Sequence, residues 1–209
     1  MTRGKRNRVW HKRHTSDHYV RQAQAQGWRS RAVYKLMEID ARDHLLKAGL
    51  TVLELGAAPG SWSQYVAQRV GLSGRIIALD ALAMAPLDKV EFVQGDFCDD
   101  DMPHRLRALL ATKRADLVLS DMAPNITGIT AIDQPRAMEL AELALQLAQE
   151  VLKPGGDFLV KLFQGEGFDR YVTAVQGLFV KAAVRKPAAS RPHSREVYLM
   201  AKNYQVTKV

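Results

Sequence analysis

Residues 52–62 read VLELGAAPGSW, an apolar run that turns at Gly56 and continues through Pro59 and Gly60. The run has the length and composition of a buried strand, and a glycine turn at its carboxyl end is the usual ligand-binding position of an open parallel α/β sheet. A phosphate-binding loop needs a lysine directly after its last glycine, and Ser61 stands there instead. The stretch therefore predicts a strand–turn–helix unit whose ligand is not held by a P-loop.

The same turn departs from the dinucleotide fingerprint G-x-G-x-x-G, because Ala58 and Ser61 replace its second and third glycines. Pro59 removes a further N–H donor, so the loop is poorly suited to a pyrophosphate, and an NAD-dependent oxidoreductase is excluded. Gly56 and Gly60 still allow a ligand close to the backbone. A compact ligand without phosphate, S-adenosyl-methionine, suits this turn, although an ordinary βα turn with two glycines would have the same sequence.

Three aspartates strengthen the cofactor interpretation. Asp80, Asp96 and Asp121 come at or just after the carboxyl ends of three successive β-rich runs. Asp80 is placed for the two hydroxyls of an adenosine ribose, Asp96 for the adenine amino group, and Asp121 for the methionine part. Each alone is commonly a turn or capping residue, but three beside one glycine turn predict a cofactor site.

The pattern of the whole chain is that of an α/β protein. Five β-rich runs alternate with helical stretches, and two further runs without a helix between them predict an antiparallel hairpin edge; the runs are 51–55, 75–79, 90–93, 115–120, 157–163, 178–184 and 196–201. One helix is predicted from about Ser30, and another over 134–152, with Asp133 as its cap and KPGG (153–156) as its end. We expect a Rossmann-like methyltransferase fold, with a mostly parallel seven-stranded sheet and helices on both faces.

Two lysines and a glutamate raise the question of catalysis. Lys161 interrupts the apolar run FLVKLF, where an unpaired ammonium is costly to bury. Lys35 lies near the edge of the apolar stripe of its helix, and Glu196 opens the last β-rich run. Each of them alone is equally compatible with a salt-bridged or snorkelling side chain.

These motifs together resemble the FtsJ/RrmJ family of ribosomal RNA ribose 2'-O-methyltransferases. The similarity runs from about Ser16 to Ala201, through RSRAVYKL (29–36), LGAAPGSW (55–62), QGDF (94–97), SDMAPN (120–125), VKLFQGEGF (160–168) and SREVY (194–198). Two departures are small: Ser61 replaces a glycine, and Ile126-Thr127 replaces a more common Met-Ser.

The resemblance implies roles for particular residues. The family's K-D-K-E tetrad falls on Lys35, Asp121, Lys161 and Glu196. Because a ribose 2'-hydroxyl has to lose its proton, we assign Lys161 as the proton acceptor, with orientation of the hydroxyl as its alternative role. The expected cofactor-binding residues are Gly56, Pro59, Gly60, Trp62, Asp80, Asp96 and Asp121. No metal is expected, because the sulfonium of S-adenosyl-methionine is already an activated leaving group.

Charge points to an RNA partner. Residues 1–31 hold nine Lys/Arg and one acid, whereas the remaining chain is neutral. A second basic run without an acid comprises Lys181, Arg185, Lys186, Arg191 and Arg195, and both segments would contact phosphates. Trp10, Tyr19, Trp28 and Tyr34 would stack on unpaired bases, although Tyr34 is equally suited to a core. We expect a flexible basic tail at 1–15 and one methyltransferase domain at 16–209.

The remaining expectations concern context and substrate. One cysteine, Cys98, and no apolar run of membrane-spanning length favour a cytoplasmic location. We expect the protein to be a monomer. The expected reaction is methylation of a ribose 2'-hydroxyl, on a uridine of 23S ribosomal RNA in the large subunit. Two alternatives stay open: the same chemistry on a tRNA anticodon loop, and a non-catalytic RNA-binding ribosome assembly factor. A lysine buried in a strand argues against the second.

Overall fold

The computed structural model describes residues 18–111, 113–191 and 193–206, so the predicted basic tail and Trp10 lie outside the described residues. Within these ranges the helices are α1 (His18–Ala25), α2 (Val33–Asp43), α3 (Ser61–Val70), α4 (Met102–Leu110), α5 (Thr130–Val151) and α6 (Phe168–Gln176). The strands are β1 (Thr51–Leu55), β2 (Arg75–Asp80), β3 (Val90–Gln94), β4 (Ala115–Ser120), β5 (Leu152–Phe163), β6 (Phe179–Arg185) and β7 (Glu196–Tyr204). The division into a tail and one catalytic domain stays a prediction.

The seven strands form one sheet in the order β3-β2-β1-β4-β5-β7-β6. Strands β1 to β5 are parallel to one another, and β7 runs antiparallel between β5 and β6. The predicted mostly parallel sheet with an antiparallel hairpin edge is therefore confirmed. Because strand order reverses between β1 and β4, a ligand cleft is expected at their carboxyl ends.

Helices cover both faces of the sheet, as the sequence predicts. Leu36 of α2 and Val66 of α3 pack with Val52 and Leu159 of the sheet on one face. On the other face, Leu106 of α4, Ala144 of α5 and Val175 of α6 pack in one core with Leu53 and Val160, which follow Val52 and Leu159 along their strands. Side chains of a strand point to opposite faces in turn, so near-continuous apolar runs are what a sheet covered on both faces requires.

The helix predicted over 134–152 differs from the observed one at both ends. It begins at Thr130, and Asp133 lies in its first turn rather than at the cap. The Asp133 carboxylate accepts hydrogen bonds from the backbone N–H groups of Thr127 and Gly128, at 2.9 Å each, so it orders the loop before the helix. The predicted KPGG terminator belongs to β5, which starts directly after the helix.

The helix predicted from about Ser30 begins at Val33. In the described ranges, no helix has both the length and the apolar character needed to cross a membrane.

Candidate active site

Strand alternation places three predicted catalytic residues on the face that α2 and α3 cover. Leu159 of β5 and Tyr198 of β7 belong to the core on that face. Lys161 and Glu196 each lie two positions from one of them, so their side chains point the same way. Lys35 approaches from α2, whose buried stripe holds that helix against the sheet. The fold thus brings together three residues that are far apart in sequence.

The four residues form two ion pairs. The Nζ of Lys161 lies 2.7 Å from Oδ1 of Asp121 and also donates to the Asp121 carbonyl at 2.7 Å. The Nζ of Lys35 lies 2.7 Å from Oε1 and 2.9 Å from Oε2 of Glu196. The Lys161 side chain is only 8% exposed, so its pairing with Asp121 offsets the cost of burying an ammonium.

Two further side chains complete the network: Tyr198, which lies in the SREVY motif but had been given no role, and Ser190, which lies outside the motifs. The hydroxyl of Tyr198 donates to Oδ1 of Asp121 at 2.6 Å, and the hydroxyl of Ser190 donates to Oε1 of Glu196 at 2.8 Å. Burial, then the Asp121 and Glu196 carboxylates, raises the pKa of Tyr198 well above its usual value, so the phenol stays a neutral donor. Tyr198 faces Lys161 across the β5–β7 ladder. Its position two residues after Glu196 on one strand was the available signal.

Glu196 is held in its charged form. Burial raises the pKa of Glu196, but the ammonium groups of Lys35 and Lys161 and hydrogen bonds from Lys35 and Ser190 outweigh that effect, and the net pKa lies below its usual value. The network therefore contains two ammonium and two carboxylate groups in close contact. Such a set can hold a polar substrate group and exchange a proton with it.

A cleft of about 630 Å³ opens at the carboxyl ends of the strands beside this network. Gly56, Asp80, Asp96 and Asp121 line it, together with apolar side chains that include Leu79, Phe97, Met122 and Leu140. Four predicted cofactor residues thus share one cleft, and Asp121 belongs both to the cleft and to the ion-pair network.

The other three predicted cofactor residues, Pro59, Gly60 and Trp62, are not among the lining residues. The indole of Trp62 is buried, donates from Nε1 to the Ala32 carbonyl at 2.8 Å and packs 5.7 Å from the ring of Tyr198. Trp62 therefore connects α3 to the chain before α2 and to β7, because the first turn of α3 points it into the core rather than toward the cleft.

Both glycines of the turn are required by neighbouring protein atoms. Gly56 has φ +78°, and a Cβ there would lie 2.8 Å from the backbone nitrogen of Met122. Gly60 has φ +99°, and a Cβ there would lie 2.6 Å from the sulfur of Met84. The sequence had suggested close approach of a ligand; the structure shows close approach of other segments of the chain.

The cleft fits an adenosyl ligand by its chemistry. Its carboxylates, which include those of Asp80, Asp96 and Asp121, suit hydroxyl and amino donors, and its apolar walls suit a purine ring and a methionine chain. The Asp80 oxygens also accept the N–H groups of Ala58 and Leu82, at 2.8 Å each, and Oδ1 of Asp96 accepts the N–H of Cys98 at 2.9 Å. These bonds fix the orientation of the carboxylates at the cleft wall.

The second basic run is only partly available for phosphates. Arg185 makes two hydrogen bonds to the Asp43 carboxylate, at 2.6 and 2.7 Å, with its side chain 12% exposed. The Nζ of Lys186 donates to the carbonyls of Ser194 and Glu196. The prediction that Arg185 contacts phosphate is therefore wrong, because its charge is neutralised inside the fold. Lys181, Arg191 and Arg195 are exposed.

The predicted stacking aromatics at the N-terminal side pack against other side chains. The rings of Tyr19 and Tyr34 lie 5.5 Å apart, and the Tyr34 hydroxyl donates to the Gln26 side chain at 2.9 Å. Trp28 meets Tyr65 edge to face, with ring centroids 6.4 Å apart. Base stacking by these residues stays a prediction.

The sheet order, the glycine turn and the acid-lined cleft define a Rossmann-like methyltransferase. Residues 28–204 match the FtsJ-like methyltransferase family, and the chain belongs to that family. The resemblance inferred from the motifs is thereby confirmed, and the cofactor of this methyltransferase is S-adenosyl-methionine.

Relatives are similar over nearly the full chain. The protein named ribosomal RNA large subunit methyltransferase E from Legionella pneumophila (strain Corby) is 52% identical over 99% of this chain and 100% of its own length. Proteins of the same name from Cellvibrio japonicus and Chromohalobacter salexigens are 50% and 55% identical, over 98% and 93% of this chain and 97% and 93% of their own lengths.

Solved structures agree with the fold. The crystal structure of a putative ribosomal RNA methyltransferase from Plasmodium falciparum superposes with a TM-score of 0.76 and 32% identity, covering 85% of this chain and 98% of that chain. Human methyltransferase-like protein 13, solved with SAH, gives a TM-score of 0.60 at 17% identity, covering 84% of each chain. This second similarity concerns the fold alone.

Proposed function

We propose that the protein methylates the 2'-hydroxyl of a ribose in 23S ribosomal RNA, at a uridine of the large ribosomal subunit. The relatives at about half identity carry a large-subunit ribosomal RNA name, which supports this RNA as the substrate class. The ion-pair network supports the ribose hydroxyl as the methyl acceptor. The proposal includes a monomeric enzyme that acts in the cytoplasm without a metal ion.

The observation that carries the proposal is that Asp121 belongs both to the cofactor cleft and to the ion-pair network. Asp121 lines the cofactor cleft, and its carboxylate forms an ion pair with the ammonium of Lys161 at 2.7 Å. A hydroxyl bound at Lys161 is therefore next to the cleft that holds the methyl donor. Proximity of this kind turns a bimolecular reaction into one within a single complex.

The chain's own residues then have distinct tasks. A ribose 2'-hydroxyl is a weak acid and has to lose its proton as its oxygen attacks. Lys161 accepts that proton only as a neutral amine, so the ammonium that pairs with Asp121 first has to release its own proton to solvent. Lys35, Asp121 and Glu196 hold the ribose and set the charge state of Lys161 through the two ion pairs. S-adenosyl-methionine, bound by Gly56, Asp80, Asp96 and Asp121, supplies an activated methyl group on a sulfonium.

The two alternative functions differ from the proposal in testable ways. Methylation of a tRNA anticodon loop uses the same chemistry, but the relatives' name favours ribosomal RNA. A non-catalytic RNA-binding assembly factor does not require two ion pairs, largely removed from solvent, beside a cofactor cleft. Burying such pairs is costly, and a binding surface gains nothing from Lys161 inside a strand.

The test combines substrate choice with the position of the methyl group. The protein is incubated with methyl-labelled cofactor and with ribosomal RNA, tRNA and large ribosomal subunits in separate reactions. The labelled RNA is then hydrolysed in alkali, which needs a free 2'-hydroxyl and so leaves a 2'-O-methylated nucleotide joined to its neighbour. We expect label in dinucleotides from ribosomal RNA or the subunit; label in mononucleotides would mean base methylation, and label in tRNA would change the substrate.

A further inference from the structure

Arg29 connects two segments that flank the cofactor cleft. Its Nη1 donates to the carbonyl of Pro59 at 3.0 Å and to that of Ala85 at 2.7 Å, and its Nη2 donates to the carbonyl of Pro86 at 2.9 Å. Pro59 belongs to the glycine turn after β1, whereas Ala85 and Pro86 belong to the segment after β2. One guanidinium thus holds both segments by three backbone acceptors.

The same two segments form part of the cleft wall. Ala58 and Leu82 line the cleft, and the Asp80 carboxylate accepts the N–H group of each at 2.8 Å. Arg29 binds the same two segments through their carbonyls. A Cβ on Gly60 would lie 2.8 Å from Nη1 of Arg29, so the glycine leaves the space that the guanidinium occupies.

Arg29 is held in place by its own backbone. Its N–H donates to the Gln64 side chain at 2.8 Å, and the Gln64 amide donates to the Gly27 carbonyl at 3.1 Å. The hydroxyls of Ser30 and Ser61 lie 2.7 Å apart. The segment that leads into α2 is therefore bound along the first turns of α3, and its arginine points at the cofactor turn rather than into solvent.

We propose that Arg29 is a positioning residue for the methyl donor, which fixes the 57–60 turn and the 81–87 segment in the geometry that binds S-adenosyl-methionine. A guanidinium is suited to this task, because its planar set of N–H donors reaches several carbonyls at once, whereas a lysine ammonium is a single point charge. The inference concerns the cofactor cleft and does not depend on which nucleotide is methylated.

The test compares Arg29→Gln and Arg29→Lys with Arg42→Gln, which removes the same charge from an exposed position on α2. Affinity for S-adenosyl-homocysteine is measured by calorimetry, with the melting temperature of each variant. We expect Arg29→Gln to weaken binding by roughly tenfold or more, since hydrogen bonds from a charged group are lost. Arg29→Lys recovers little of the loss, and Arg42→Gln leaves affinity unchanged.

Two kinetic and structural readouts separate positioning from other roles. We expect the KM for the cofactor to rise with kcat at saturating cofactor nearly unchanged, and hydrogen exchange to speed up in 57–60 and 81–87. Unchanged cofactor affinity with a raised KM for RNA would make Arg29 a phosphate contact and overturn the proposal. A lower melting temperature with unchanged affinity would also overturn it. The binding assay contains no RNA, so its result on Arg29 remains valid even if the labelling experiment shows that the protein does not methylate ribose.

Discussion

The ammonium nitrogen of Lys161 lies 2.7 Å from Oδ1 of Asp121, near the carboxyl ends of the neighbouring strands β4 and β5. The two side chains are 8% and 17% exposed, so neither charge is fully hydrated. Removing one member of such a pair leaves the other as an uncompensated buried charge. Substitutions here are therefore expected to change stability and turnover together, and the two effects have to be measured separately.

Lys161→Ala is expected to lower turnover by about 10²–10⁴, the range for a positioned acid–base group. Cofactor affinity should persist, because the cleft is lined by other residues. Lys161→Arg is expected to be nearly as inactive, since a guanidinium does not give up its proton at neutral pH. Turnover is measured in single-turnover assays, after calorimetry and thermal melting have shown folded, cofactor-bound protein.

Lys153→Ala is the matched control for that experiment. Lys153 lies on the same strand and pairs with Asp116, but its side chain is half exposed. Such pairs contribute little, so turnover should stay at the level of the unmodified protein. Substantial activity of Lys161→Arg would show that positive charge suffices, and Lys161 would then orient the hydroxyl rather than accept its proton.

Asp80→Ala is expected to weaken cofactor binding by about 1–3 kcal/mol, because ribose hydroxyls lose a charged acceptor. The substitution also frees the N–H groups of Ala58 and Leu82 that the carboxylate holds. Calorimetry with S-adenosyl-homocysteine measures the effect, and the exposed Asp88→Ala serves as the control. Equal affinities of the two variants would remove Asp80 from the site.

The sequence predicted the strands well because their apolar runs are local signals. Six of the seven observed strands begin within one residue of the predicted starts, and β5 begins earlier because Leu152 directly continues α5 into the sheet. Helix starts were less accurate. An aspartate near a helix start can cap the helix, or it can lie in the first turn and bind the preceding loop, as Asp133 does. The local sequence does not distinguish these two arrangements.

The identities of the site residues could be predicted from motifs. Their ion-pair partners could not, because packing of the fold decides which side chains meet. The pairing of Lys35 with Glu196 and of Lys161 with Asp121 depends on strand order, which no local pattern contains. Arg185 was assigned to RNA from its basic neighbours, yet it pairs with Asp43, which is 142 positions away.

Gly56→Ala is expected to destabilise the protein and weaken cofactor binding, because a Cβ would lie 2.8 Å from the backbone nitrogen of Met122, directly after Asp121. Gly155→Ala is the matched control: Gly155 has the same φ, +78°, but its Cβ would meet nothing within 4 Å. Both substitutions place a side chain at the same positive φ, so the difference in melting temperature reports the contact with Met122. Equal losses in both variants would show that the loop after β4 shifts without cost.

Deleting residues 1–14 is expected to leave cofactor affinity intact and to weaken RNA binding. The deletion removes six Lys/Arg. Each phosphate contact that is lost lowers the slope of log affinity against log salt by roughly 0.7–0.9. Filter binding over a range of salt concentrations measures the slope. An unchanged slope would assign the RNA surface to other residues, of which Lys181, Arg191 and Arg195 are exposed.

A buried acid on β1 makes stability depend on pH. Glu54 is 1% exposed; one of its oxygens accepts the Ser63 hydroxyl at 2.6 Å, and Oε1 has no hydrogen-bond partner within the described ranges. Burial raises the pKa of Glu54 from 4.5 to about 8, and the Asp121 and Asp80 carboxylates act in the same direction. The folded protein therefore holds a proton here that the unfolded chain releases at neutral pH.

Because the folded protein binds this proton more tightly than the unfolded chain does, the free energy of unfolding falls as pH rises. Stability from the neutral acid is fully present below the unfolded pKa of 4.5 and is lost as pH rises through about 8. Glu54→Gln keeps the shape and an acceptor for Ser63 but cannot ionise, so its melting temperature should exceed that of the unmodified protein increasingly toward alkaline pH. We expect the gap between the two proteins to widen by on the order of 10 °C from about pH 5 to about pH 9. The exposed Glu166→Gln should show no such trend, and a gap that stays constant across this range would mean that Glu54 is already ionised in the folded protein.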